Sequence, residues 1–201
     1  IFFLVWSMTY ITLVLIVRSK FDEDIVLYAR VMTYDNYSFY HFKEPVIWIG
    51  HKVLFQIFEN PFVVFLLTDM IIGILLFKSF KNFNLPQYVY FSILIFFPFI
   101  MGMQNAYRQW ASNIILLYSF SLIWNLNFKA KSFLFFGVSI LTHNVAALML
   151  PIYFLKNNYR EQMLWILALI ISFLGVYYGA NIKASHSTGA DLRFLYLTLI
   201  L

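Results

Sequence analysis

The 201-residue chain is 62% hydrophobic and 11% charged, where a soluble domain carries about 25% charged residues; too little polar surface remains to coat a water-soluble enzyme. Its 24 Phe and 14 Tyr exclude a disordered chain, and the absence of Cys excludes disulfides, thiolate metal sites and thiol catalysis. The net charge of +5 comes from scattered basic residues, not from the clustered patch of a nucleic-acid binder.

The composition predicts an all-α, polytopic bundle of transmembrane helices forming a single integral membrane domain over residues 1–201. The chain opens at Ile1 within one apolar run and stops at Leu201 within another, so it is expected to be a piece of a longer protein, cut at both ends. A spanning helix needs about 20 apolar residues. Residues 1–17 make the first predicted span, without the basic leader of a signal peptide. Residues 18–60 form the longest polar region, expected as a long extracytoplasmic loop. Within it, 45–60 (PVIWIGHKVLFQIFEN) is too short and polar to cross, and suits an amphipathic helix lying in the interface. Further spans are predicted at 61–77, with Asp69 inside, at 87–103, with Pro98 near the end, and at 109–124. The run 133–155 is interrupted by Thr142-His143-Asn144. Spans follow at 163–178 and from 192 onward, around a polar stretch at 179–191. No fixed-period repeat is visible.

Lys and Arg in short loops set orientation. Lys78 and Lys81, Lys129 and Lys131, and Lys156 and Arg160 mark three cytoplasmic loops, whereas 18–60 carries more acids than bases. Both loops flanking 133–155 are then cytoplasmic, which one crossing cannot satisfy. A re-entrant helix pair turning at His143 can: arms of about 10–12 residues reach only about 15–18 Å, and such a hairpin is tolerated where it lines a cavity. The rival is a single kinked helix that sends Lys156 and Arg160 outside.

The candidate site residues gather on the outer side. Arg108 sits where a tight turn feeds the span 109–124. Its guanidinium suits a phosphate, although an Arg at the boundary also snorkels. His143 breaks an apolar run at a depth where ionisable groups are costly, and it is a candidate base near neutral pH. Asp24 with Tyr28, and Glu44 before Pro45, offer carboxylates and an aromatic ring for sugar hydroxyls and faces; a solvated acidic loop is the plainer reading. Asp69, in mid-span, needs a partner, and a structural hydrogen bond is its expected role. Arg193, at the start of the last span, is a candidate second phosphate ligand. Arg30, His51 and His186 are weaker. No nucleotide-binding, zinc-protease or serine-hydrolase motif is present, and the four His residues lack metal-ligand spacing.

Taken in order, Asp24-Ile25-Val26-Leu27-Tyr28, Glu44-Pro45, Arg108-Gln109-Trp110-Ala111 and Thr142-His143-Asn144-Val145-Ala146-Ala147-Leu148, followed by Leu150-Pro151, resemble the EpsG-like, Wzy-type family of bacterial exopolysaccharide and O-antigen polymerases. The resemblance covers about residues 24–151, with Arg193-Phe194 as an extension. It implies a multi-pass glycosyltransferase of the bacterial inner membrane, active on the outer face, without cofactor or metal. Its substrates are implied to be oligosaccharide repeat units on undecaprenyl diphosphate, with a chain-length regulator as a further partner. On this reading Arg108 and Arg193 bind the diphosphate. His143 orients it or acts as base, Asp24 or Glu44 is the alternative base, and Tyr28 and Gln109 contact sugar. The alternatives are another lipid-linked glycan transferase, such as an O-antigen ligase, or a lipid-linked oligosaccharide flippase.

Overall fold

Apolar runs without β-branched alternation favour helices, and helices are what form. The computed structural model describes residues 1–19, 23–34, 39–124, 129–154 and 170. Among them there are eight α-helices and two 3₁₀ helices, and no strand. The α-helices are α1 (Phe2–Arg18), α2 (Glu23–Thr33), α3 (Pro45–Phe58), α4 (Pro61–Asn82), α5 (Gln87–Ile95), α6 (Phe97–Asn105), α7 (Tyr107–Trp124) and α8 (Lys129–Thr142). The 3₁₀ helices are Phe39–Lys43 and Asn144–Phe154. The chain divides into two compact units, Ile1–Ala146 and Ala147–Leu201. In the second unit the described residues are 147–154 and 170, so the spans expected at 163–178 and beyond 192, and Arg193 and His186 with them, lie outside the described residues.

By length and hydropathy, α4 is the one described helix able to cross a bilayer by itself. The bent pair α5 and α6, broken by 54°, makes a second if taken as one span, and α1 and α3 are apolar but shorter. The helix α4 runs five residues beyond the predicted 61–77. Its first breaker is Asn84, whose φ of 54° is left-handed, and Lys81 in its last turn complements the negative end of the helix dipole. The break at Phe96 follows from Pro98, which cannot continue the ladder of hydrogen bonds from the preceding turn. The helix predicted within 45–60 appears as α3, and the break at His143 appears as the end of α8. By contrast α2 was not anticipated within the polar region. Its buried face is Ile25, Tyr28 and Met32, spaced three and four residues apart as one helical stripe requires.

Interhelical contacts in the first unit are made by aromatic rings, small residues and buried polar groups. The Trp6 indole N–H donates to the Tyr90 carbonyl at 2.8 Å, fixing α1 on α5. The Tyr10 ring lies directly over Gly73 of α4. Antiparallel α7 and α8 meet through two serine pairs. The hydroxyls of Ser112 and Ser139 each donate to the other's carbonyl at 2.9 Å, and those of Ser119 and Ser132 do the same at 2.6 Å. The pairs recur seven residues apart on each helix. Small side chains let the backbones approach, and the hydroxyls satisfy one another where no water competes.

Candidate functional site

Glu44 stands at the cap of α3, and Pro45 occupies the first helical position. Proline is pre-organised there and brings no N–H. The Glu44 side chain does not cap the helix, so its carboxylate is available for tertiary partners, and it turns inward to only 3% exposure. Arg108 is the second residue of α7, directly after the chain breaks at Ala106. His143 follows the last residue of α8, its N–H held by the Ser139 carbonyl at 2.9 Å. Three helix ends therefore converge.

The convergence closes through one carboxylate. Arg108 Nη1 donates to Glu44 Oε2. His143 Nδ1 lies 2.6 Å from Glu44 Oε1, which also accepts the Asn144 backbone N–H at 3.4 Å. Arg108 Nε donates to the Tyr28 hydroxyl at 2.9 Å, which brings in α2. The guanidinium lies 5.2 Å from the centre of the Trp48 ring and 5.8 Å from that of Tyr28, within cation–π range. Burial works to raise the Glu44 carboxyl, but the His143 hydrogen bond and the Arg108 charge outweigh it. The group is held below its ordinary value and is a carboxylate at neutral pH. A neutral imidazole that donates Nδ1–H to that carboxylate presents Nε2 as its acceptor. His143 and Arg108 are each about a fifth exposed, so both reach the surface of the cluster while Glu44 lies beneath them.

Four residues singled out in the sequence, Tyr28, Glu44, Arg108 and His143, thus meet across chain separations of up to 99 residues. Gln109 does not join them. One residue on from Arg108, it turns to an apolar groove shared with Phe97 and Asn105. Asp24 lies one turn before Tyr28 on α2, and its side chain is outside the described residues. No group of His, Asp or Glu suited to a metal ion occurs among the described residues.

Beside this cluster lies a second polar centre that sequence reasoning only half found. Asp69 does have a partner: Arg18 Nε donates to Oδ2 at 2.7 Å and Nη2 to Oδ1 at 3.2 Å. Arg18 Nη1 also donates to the Met103 carbonyl at 3.0 Å, the Tyr107 hydroxyl to Asp69 Oδ1 at 3.1 Å, and the Tyr10 hydroxyl to the Asp69 carbonyl at 2.8 Å. All four side chains are buried. Arg18 resembles a snorkelling residue at the end of a span; the usable signal was the lone in-span carboxylate, which demanded a cation. Through Met103 and Tyr107 this network grips the turn between α6 and α7, the turn that presents Arg108. His51 packs against Tyr107 with ring centres 5.8 Å apart, and burial, aided by the Arg18 charge, pushes it down to about 3. It is a neutral core residue hydrogen-bonded to Thr68 at 3.2 Å.

No curated protein and no solved structure matches the chain. The sequence profile of the EpsG family matches residues 2–192 and so takes in α1 to α8 and every residue of both polar centres. The chain belongs to the EpsG family.

Proposed function

We propose that this protein is a multi-pass glycosyltransferase of the bacterial inner membrane that polymerises oligosaccharide repeat units carried on undecaprenyl diphosphate, as in O-antigen, capsule or exopolysaccharide synthesis. Membership of the EpsG family supports the polysaccharide class. The observation that carries the site is the Glu44 carboxylate held between Arg108 and His143. An arginine beside a histidine that a buried carboxylate orients is the equipment for transfer from an anionic leaving group to a hydroxyl.

In this reading the acceptor sugar's hydroxyl oxygen attacks the anomeric carbon of the donor. The bond from that carbon to the diphosphate oxygen breaks, and the hydroxyl proton passes to His143 Nε2. The diphosphate leaves against the Arg108 guanidinium, with Arg193 as a candidate second cation. Glu44 is then a positioning residue: a carboxylate held below its ordinary range is a poor base but fixes the His143 tautomer and the Arg108 fork. Asp24 is a candidate for the acceptor side, and Tyr28, buried with its hydroxyl accepting from Arg108 Nε, is a positioning residue for the guanidinium. A chain-length regulator is the expected protein partner.

The test is surface polysaccharide resolved on a gel from cells deleted for the full-length gene and complemented with wild type, Arg108→Ala or His143→Ala at matched expression. The expected outcome is a single repeat unit without the long ladder in the deletion and in both variants. Loss of the single unit as well points instead to a ligase or flippase. A normal ladder in Arg108→Ala removes Arg108 from the site.

A further inference from the structure

Some 14–18 Å along α4 from Asp69, at about 1.5 Å per residue, a cavity of about 720 Å³ opens between α1, α4 and α5. Phe2, Phe77 and Tyr90 supply its apolar wall, and Lys78, Lys81 and Gln87 its polar side. Lys78 and Lys81 are three residues apart and so share one face of the last turns of α4. Both are exposed, and neither is in an ion pair among the described residues. Two unpaired cations beside an aromatic wall complement a ligand with an anionic head and an apolar body.

We propose that this cavity binds an anionic phospholipid of the cytoplasmic leaflet, its phosphate on Lys78 and Lys81 and its acyl chain along the aromatic wall. The lysines belong to a loop that the charge rule places inside, and basic pockets between membrane helices on that side suit acidic headgroups. A sugar meets too few acceptors on this wall, and a soluble anion gains nothing from the rings. The proposal rests on the membrane part of the functional reading and needs nothing of the polymerase chemistry.

The experiment is native mass spectrometry of the full-length protein in neutral detergent, titrated with phosphatidylglycerol or with zwitterionic phosphatidylcholine. Wild type is compared with Lys78→Gln/Lys81→Gln, with the charge-keeping Lys78→Arg/Lys81→Arg, and with Lys129→Gln/Lys131→Gln as a second basic loop. Phosphatidylglycerol is expected to bind selectively and to weaken about five-fold for each lysine removed, with the arginine pair and the second loop near wild type. Equal retention of the two lipids overturns the proposal, as does an equal loss from either glutamine pair. Full displacement of phosphatidylglycerol by inorganic phosphate overturns it in favour of a soluble-anion site. The arginine pair guards against misfolding, since it restores binding only if charge is what matters. The polysaccharide ladder is read in parallel: a normal ladder with no lipid selectivity sinks this inference alone, and selective binding in a protein without polymerase activity sinks only the functional reading.

Discussion

Glu44 organises the site through a single charge, and its behaviour with pH follows from its partners. Because its folded value lies below the ordinary 4.5, its stabilising contribution is complete above about 4.5 and is lost as pH falls through the lower folded value. Melting curves across a pH series should show Glu44→Gln less stable than wild type by about 1–3 kcal/mol near neutrality. The gap should close only in acid below about pH 4.5; a gap that closes at higher pH contradicts the assigned shift. Arg108→Lys tests the fork separately. It keeps the charge and loses the planar donors that reach Glu44 and Tyr28 together. Polymer output per protein, measured in membranes, should fall about 10²-fold, and output unchanged within a factor of two contradicts the assignment. At this scale the sequence was legible where an ionisable residue interrupted an apolar run or abutted a proline, as at Arg108, His143 and Glu44. Arg18 was not legible, since a cation ending a span usually snorkels, and only the Asp69 carboxylate in three dimensions assigns it a buried place.

Between elements, the register of α7 against α8 decides whether Arg108 and His143 face one carboxylate. The serine pairs set that register, with Ser112–Ser139 next to the site and Ser119–Ser132 two turns away. Ser112→Leu forces a four-carbon side chain where two backbones touch. It should abolish the ladder while the protein still inserts and resists protease, whereas Ser112→Ala costs about 1 kcal/mol and keeps activity. A functional Ser112→Leu protein shows that the register is not set there. The ion pair under the α6–α7 turn is a second such constraint. Asp69→Asn strands the Arg18 charge and should cost about 3–5 kcal/mol, and replacing both partners by apolar residues of similar volume should recover much of it. Thermal melting in detergent separates the two. Helix positions were readable from hydropathy, but α4 overran its predicted end at 77 as far as Asn82, and Pro98 split the predicted span 87–103 at Phe96. The helix α2 was hidden because acids and tyrosines mask a stripe of only three buried residues, and the grip of Arg18 on Met103 involves a backbone carbonyl that no sequence pattern marks.

For the whole molecule, the proposal stands on the two ends of α4 facing opposite sides of a bilayer. Its 22 residues span about 33 Å at 1.5 Å each, close to the hydrocarbon thickness of about 30 Å. The Glu44 cluster gathers the end of α3's approach, the start of α7 and the end of α8, while Lys78, Lys81, Lys129 and Lys131 gather at the other ends of α4 and α8. That polarity agrees with the charge rule, which puts the lysines inside and the site outside. These 201 residues contain no Cys, so a single cysteine placed among them reports topology once any cysteine elsewhere in the full-length protein is replaced by serine. In intact spheroplasts an impermeant maleimide should label Glu59→Cys, and should label Lys81→Cys and Lys131→Cys only after permeabilisation. Equal labelling of Glu59→Cys and Lys81→Cys in intact cells means that α4 does not cross. Lys156→Cys then decides what happens after the break at His143, because its residue lies outside the described ones and its side comes from charge alone. Protection in intact cells favours a helix pair that re-enters and returns, with His143 at its tip. Labelling in intact cells favours one kinked crossing. The Glu44–Arg108–His143 cluster is the same in both, so the labelling of Lys156→Cys decides the path of the chain after His143 and leaves the proposed diphosphate site unchanged.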